Sequence, residues 1–189
     1  ARFAKNMQKV FDTQEIKLSG VLGEGTAKLS MVTSDIAKAL DGVQVIMLAV
    51  PAFAHKFYAD LLSDHLKPGQ IVFVFAGTMG SLVIYNELKK KGREKGVIIA
   101  EGYTSAYDTR LTAPGEVTVF SIHDPLMTGV MPGKKTDEAI AVLKEFFPVK
   151  PAESVVDAGL YALNPVVHTP GCIMNAGRIE YAKGEFWFY

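Results

Sequence analysis

Two unbroken apolar runs, VQVIMLAVP (43–51) and IVFVFAG (71–77), each lead into a segment with helical spacing. A strand with no polar alternation is expected to be covered on both faces, and layered α/β architecture with a mostly parallel sheet supplies that cover. The alternation continues along the chain. AFAHKFYADLLSDHL is amphipathic, with Phe53, Phe57, Leu61 and Leu62 on one side, and KPGQ turns the chain into the second run. TMGSLVIYNELKKKG reads as a helix, GVIIAEG and EVTVFSI as strands of the same layer, and TDEAIAVLKEFFP as a helix ended by proline. Ser34 is expected to cap a helix over DIAKALDG. After Pro151 the pattern is helical throughout, so 1–151 and 152–189 are expected to be two units, an α/β domain and the start of an all-helical one.

Nearer the beginning, residues 3–11 place Phe3, Met7, Val10 and Phe11 at helical spacing, and EIKLS and TAKLSMVT read as short alternating strands. The glycines between them, Gly20, Gly23 and Gly25, run in the order GxxGxG, the reverse of the dinucleotide fingerprint. A hairpin turn is expected there, because glycine supplies the positive φ such turns need.

With 49% hydrophobic and 21% charged residues, and 20 basic against 20 acidic side chains, the 189-residue chain has the composition of a soluble globular protein. No charge imbalance points to nucleic acid or a membrane surface. No apolar run approaches a membrane span. Cys172 is the single cysteine, which excludes an internal disulfide and a cysteine-based metal site; a cytoplasmic location fits best.

In open parallel sheets ligands bind beyond the carboxyl ends of the strands, where helix N-termini offer free N–H groups. Two loops suit this role: Val50, Pro51, Ala52 and Phe53 after the first run, and Ala76, Gly77 and Thr78, followed by Met79 and Gly80, after the second. Ordinary strand-to-helix turns would look the same. Their recurrence at successive strand ends favours a nucleotide, although GxGxxG itself is absent from the chain.

The segment NPVVHTPGCIMNAGRIE (164–180) puts Asn164 and His168 four apart, on one face of a continuous helix, with Asn175 further along and Gly159, Gly171 and Gly177 leaving room for close approach. Pro165 and Pro170 require a kink or a split, the latter with Thr169 as cap and Pro170 at the first helical position. A lone histidine in an apolar helix is more often a core residue than a catalyst. Its unperturbed pKa of about 6.5 nonetheless suits proton transfer near neutrality, which hydride transfer to a C=O or C=N carbon requires. Among the other histidines, His65 sits on a polar helix end, His123 precedes a DP turn, and His55 lies in the first cofactor-side loop.

The stretch from VTSDIAKALDG to IVFVFAG resembles the second half of the nucleotide-binding domain in glycerol-3-phosphate dehydrogenases, ketopantoate reductases and opine dehydrogenases. NPVVHTPGCIMNAGRIE distinguishes among them. It resembles the start of the helical domain of the octopine/nopaline (opine) dehydrogenase family, with His-Thr-Pro where family members often have His-Pro, and no lysine occurs between Pro151 and Ala182. The resemblance implies a partial Rossmann-type doubly wound sheet, His168 as general acid/base and Asn164 orienting substrate or nicotinamide. It also implies NAD(P)H-dependent reductive condensation of an amino acid with a 2-oxo acid. AEGYTSAYDTR resembles the loop bordering the substrate cleft, which makes Glu101, Tyr107 and Arg110 lining candidates. If an upstream strand ends just before Ala1, that neutral residue falls where an acidic one normally holds the adenine ribose of NAD, and the adjacent Arg2 favours NADP. A chain that starts without Met and stops on FWFY is read as a piece whose GxGxxG unit and remaining helical domain lie outside it. The implied partners are small molecules, with a homodimer open. Two alternatives stand beside this: oxidation of a hydroxy acid or sugar-derived alcohol, and a cofactor-sensing or subunit-interaction module in which His168 is structural.

Overall fold

The computed structural model describes residues 4–183. In chain order the elements are α1 (Ala4–Thr13), β1 (Glu15–Gly20), β2 (Gly25–Lys28), α2 (Ile36–Leu40), β3 (Val45–Leu48), α3 (His55–Ser63), β4 (Ile71–Val74), α4 (Gly80–Lys90) and β5 (Ile98–Gly102). They continue through β6 (Tyr107–Ala113), β7 (Glu116–Ile122), β8 (Leu126–Met131), α5 (Thr136–Leu143), β9 (Val149–Pro151), α6 (Val155–Leu160), α7 (Leu163–Met174) and α8 (Ala176–Ala182).

Strands β3-β4-β5-β8-β9 form one sheet in that order, with β3, β4 and β5 parallel, β8 antiparallel to β5, and β9 parallel to β8. Because side chains alternate across a strand, the two central strands feed two cores. Ile71, Phe73, Ile98 and Ala100 pack with Ala139, Ile140 and Leu143 of α5. Val72, Val74, Val97 and Ile99 pack with Ala59 and Leu62 of α3 and Ile84 and Leu88 of α4. All four residues of β4 are buried, as an apolar run covered on both faces should be.

Several expectations are corrected. Strand β3 lies at the edge of this sheet, and Met47 is 45% exposed, so that apolar run is covered less completely than its composition suggests. Helix α3 turns His55, Ala59 and Leu62 inward and leaves Phe57 exposed, and Phe53 in the turn before it is exposed as well. Its rotation follows the close approach of α4, where a methyl group at Gly80 would lie 2.4 Å from His55 Cε1. Asp35, not Ser34, caps α2: its Oδ1 accepts from the backbone N of Ala37 (3.0 Å) and Lys38 (3.3 Å).

EVTVFSI is β7, but it belongs to a second sheet of order β2-β1-β7-β6, parallel to β1 and antiparallel to β6. The turn between β1 and β2 is a hairpin with Gly20 (φ 104) and Gly23 (φ 89) in left-handed conformations, as its glycines indicate. Helix α7 runs continuously through Pro170, so Thr169 caps nothing. Pro165 falls in the first turn, where a missing N–H costs no intrahelical bond, whereas Pro170 leaves the Val166 carbonyl without its usual donor. No described helix is long and apolar enough to cross a membrane.

Candidate functional site

The carboxyl ends of β3 and β4 carry the two loops singled out above. After β3, Pro51 precedes a single turn of 3-10 helix over Ala52–Ala54, Val50 is half-buried and the Phe53 ring stands in solvent. After β4 the backbone is strained. Ala76 (φ 51), Thr78 (φ 45) and Met79 (φ 69) are all left-handed, a conformation that costs a residue other than glycine about 1 kcal/mol or more. Thr78 is exposed at the tip, while Gly77 and Gly80 are buried.

Glu101 ends the face of β5 that packs on α4, because it shares parity with Val97 and Ile99. Its side chain is fully buried, with Oε1 accepting from the Met79 N (2.7 Å) and Oε2 from the Ser81 N (2.8 Å). Two expectations fail here together. Glu101 does not line the cleft, and these two N–H groups of the α4 N-terminus are engaged rather than free for a ligand. His55 is buried beside this group, 2% exposed, with no hydrogen-bond partner at Nε2. Burial lowers its pKa from the ordinary histidine value, against the opposing pull of the Glu101 charge.

A pocket of about 440 Å³ opens on the other side of the β5 end. Asn164 and His168 reach it from α7, one helical turn apart as their spacing required, and both are exposed. Tyr107 and Arg110 face it from β6, and Thr104 from the loop after β5. Arg110 Nη1 donates to Asp108 Oδ1 (3.2 Å) and to the Thr109 carbonyl (2.9 Å), which sets the guanidinium along the strand edge. Helix α6, which leads into α7, is anchored on the α/β layer: Val155, Ala158 and Gly159 are buried, and the Tyr161 ring meets Tyr103 edge-on at 6.4 Å between centroids. Asn175 takes no part in the pocket; its Nδ2 donates to the Gly171 carbonyl (2.9 Å) where α7 gives way to α8.

The structure therefore brings Asn164, His168, Tyr107 and Arg110 together and sets Glu101 apart. Val50, Pro51, Ala52, Phe53, Ala76, Gly77 and Thr78 do stand at the strand ends, and Arg2 lies outside the described residues. His123, passed over beside its DP turn, also lines the pocket. The period of two from Ser121, another lining residue on β7, is the signal that finds it.

A largely parallel sheet with helices on both faces and ligand-type loops at its carboxyl ends defines a Rossmann-like α/β domain. No family model matches the chain. It is 27% identical over 178 residues to the opine dehydrogenase of Arthrobacter sp. (strain 1C), a match covering 94% of this chain and 50% of that protein. It is 32% identical over 84 residues to the opine dehydrogenase of Haliotis discus hannai, covering 44% of this chain and 20% of the relative. Among solved structures, octopine dehydrogenase with NADH and pyruvate has the same fold, with a TM-score of 0.73 at 18% identity over 94% of this chain and 48% of that one. The chain is thus similar in sequence to opine dehydrogenases and in fold to octopine dehydrogenase, and it spans about half the length of the Arthrobacter protein.

Proposed function

We propose that the chain supplies the second half of the nucleotide-binding domain and the histidine-bearing helix of an NAD(P)H-dependent dehydrogenase acting on CH–NH. In this role it joins an amino acid to a 2-oxo acid. The observation that carries this reading is the shared pocket of Asn164, His168 and Arg110 beside the end of β5. The boundary after Pro151 belongs to the same proposal: 1–151 serve the nucleotide, and 152–189 begin the substrate domain, with α6 lying on β8 as the joint.

Arg110 offers a guanidinium that suits a carboxylate, and it need only trade its Asp108 contact to bind one. Asn164 orients the substrate from one turn before His168. His168 takes a proton from the substrate's ammonium group and passes it to the carbonyl oxygen as that oxygen leaves as water, and then donates one drawn from solvent to the imine nitrogen as the adjacent carbon is reduced. Bound NAD(P)H supplies the hydride. The residues present fit the nicotinamide half of that cofactor. The loops after β3 and β4 offer small side chains and backbone, while the Met79 and Ser81 N–H groups are held by Glu101, so a pyrophosphate is not bound there. Arg2 inclines the choice toward NADP.

The test is NADH and NADPH oxidation by the full-length protein with pyruvate and a panel of amino acids. Turnover that requires both an amine and an oxo acid is expected. Oxidation of hydroxy acids or alcohols with no amine-dependent reaction would replace this reading with the simple dehydrogenase one.

A further inference from the structure

The Glu101 carboxylate is an internal anion seated where α4 begins. It accepts from two backbone N–H groups at 2.7 and 2.8 Å, short enough to be charge-assisted, at the positive end of the helix dipole. Three elements make room for it and for the His55 ring behind it. A methyl group at Gly77 would lie 2.2 Å from Glu101 Cγ, one at Gly159 of α6 3.0 Å from both Glu101 Oε1 and the Met79 N, and one at Gly80 2.4 Å from His55 Cε1. Left-handed Ala76, Thr78 and Met79 need an outside constraint to hold them, and the bond from the Met79 N to Glu101 is one. His55, wholly buried with Nε2 unpartnered, adds bulk against Gly80 rather than a hydrogen bond to the carboxylate.

We propose that Glu101 is a positioning residue for cofactor binding: its carboxylate holds the 76–79 loop in its left-handed form and presents Ala76 to Thr78 to the nicotinamide. This rests on the reading that the loop borders the cofactor. Glu101 itself touches no reactant, so its effect is on cofactor affinity rather than on proton transfer by His168.

The experiment compares wild-type full-length protein with Glu101→Gln and Gly159→Ala. Glutamine keeps one acceptor oxygen and turns an NH₂ toward the second N–H, whereas the alanine crowds the carboxylate from α6 and leaves it in place. Amide hydrogen exchange at Met79 and Ser81 is read first, without cofactor, and is expected to quicken in Glu101→Gln relative to the middle of α4. The NAD(P)H Kd, by fluorescence well below the melting transition, is expected to rise about ten-fold, the factor that one unsatisfied buried N–H corresponds to. At saturating cofactor the KM for the oxo acid should be unchanged. Gly159→Ala should shift exchange and Kd in the same direction by less, and it serves alone if Glu101→Gln does not fold. Unchanged exchange, or faster exchange with an unchanged Kd, overturns the positioning role. Absence of NAD(P)H binding by the wild type would instead overturn the dehydrogenase reading, and exchange would then decide whether Glu101 constrains the loop.

Discussion

His55 and His168 present the same side chain at the same end of the molecule in opposite environments. His55 is packed against Gly80 with 2% of its surface exposed, while His168 stands exposed at a pocket rim with Asn164 and Arg110. The polar groups around His55 are locked to backbone or without partners. Those around His168 face a volume that a small substrate could fill. Polar residues near the strand ends thus divide into an enclosed platform and an exposed pocket wall, the proposed reactive surface, and burial separates them better than residue type does.

The largest effect should come from the reactive side. His168→Ala is expected to reduce kcat at least about 100-fold, the usual contribution of a general acid/base, while its melting temperature stays near wild type because the side chain is exposed. Equal activity would leave the contrast without its functional half. On the platform, Gly77→Ala should cost about 1–3 kcal/mol in urea unfolding, since its methyl would overlap Glu101 Cγ. A neutral result would mean that the platform is not rigid.

Arg110→Ala sharpens the comparison further. Loss of a carboxylate partner is expected to raise the oxo-acid KM about ten-fold, with kcat less affected and stability within about 0.5 kcal/mol, as for an exposed residue. The smallest effect is a pH dependence. Burial lowers the His55 pKa in the folded chain, so the unfolded chain takes up a proton first as pH falls through about 6.5. Stability is therefore full above that value and is lost as pH falls toward the lowered folded pKa. Melting curves from pH 7.5 to 5 should show this slope in the wild type, and His55→Gln should flatten it; an identical slope would assign the dependence to other groups.

Much of this was legible in the residues themselves. The unbroken run at 71–77, the helical spacings after it and the glycines of the first hairpin each state a local preference that tertiary packing did not reverse. Asn164 and His168 share a face because a helix makes residues four apart neighbours. Strand β6 was missed because YDTRLTA is polar and half-exposed, an edge strand without apolar alternation. Strand β8 was missed because LMTGVM sits between Pro125 and Pro132 and looks like a turn.

By itself, then, the sequence determined the α/β layering, the helical run after Pro151 and the pairing of Asn164 with His168, all of which follow from periods of two and 3.6 residues. Tertiary structure alone decided that Glu101 turns into the α4 N-terminus, that Phe53 and Phe57 point outward, and that His55 is enclosed while His168 is not. Those outcomes depend on which distant backbone lies opposite each side chain. Gly80 against His55, and Gly77 and Gly159 against Glu101, are contacts that no local period encodes.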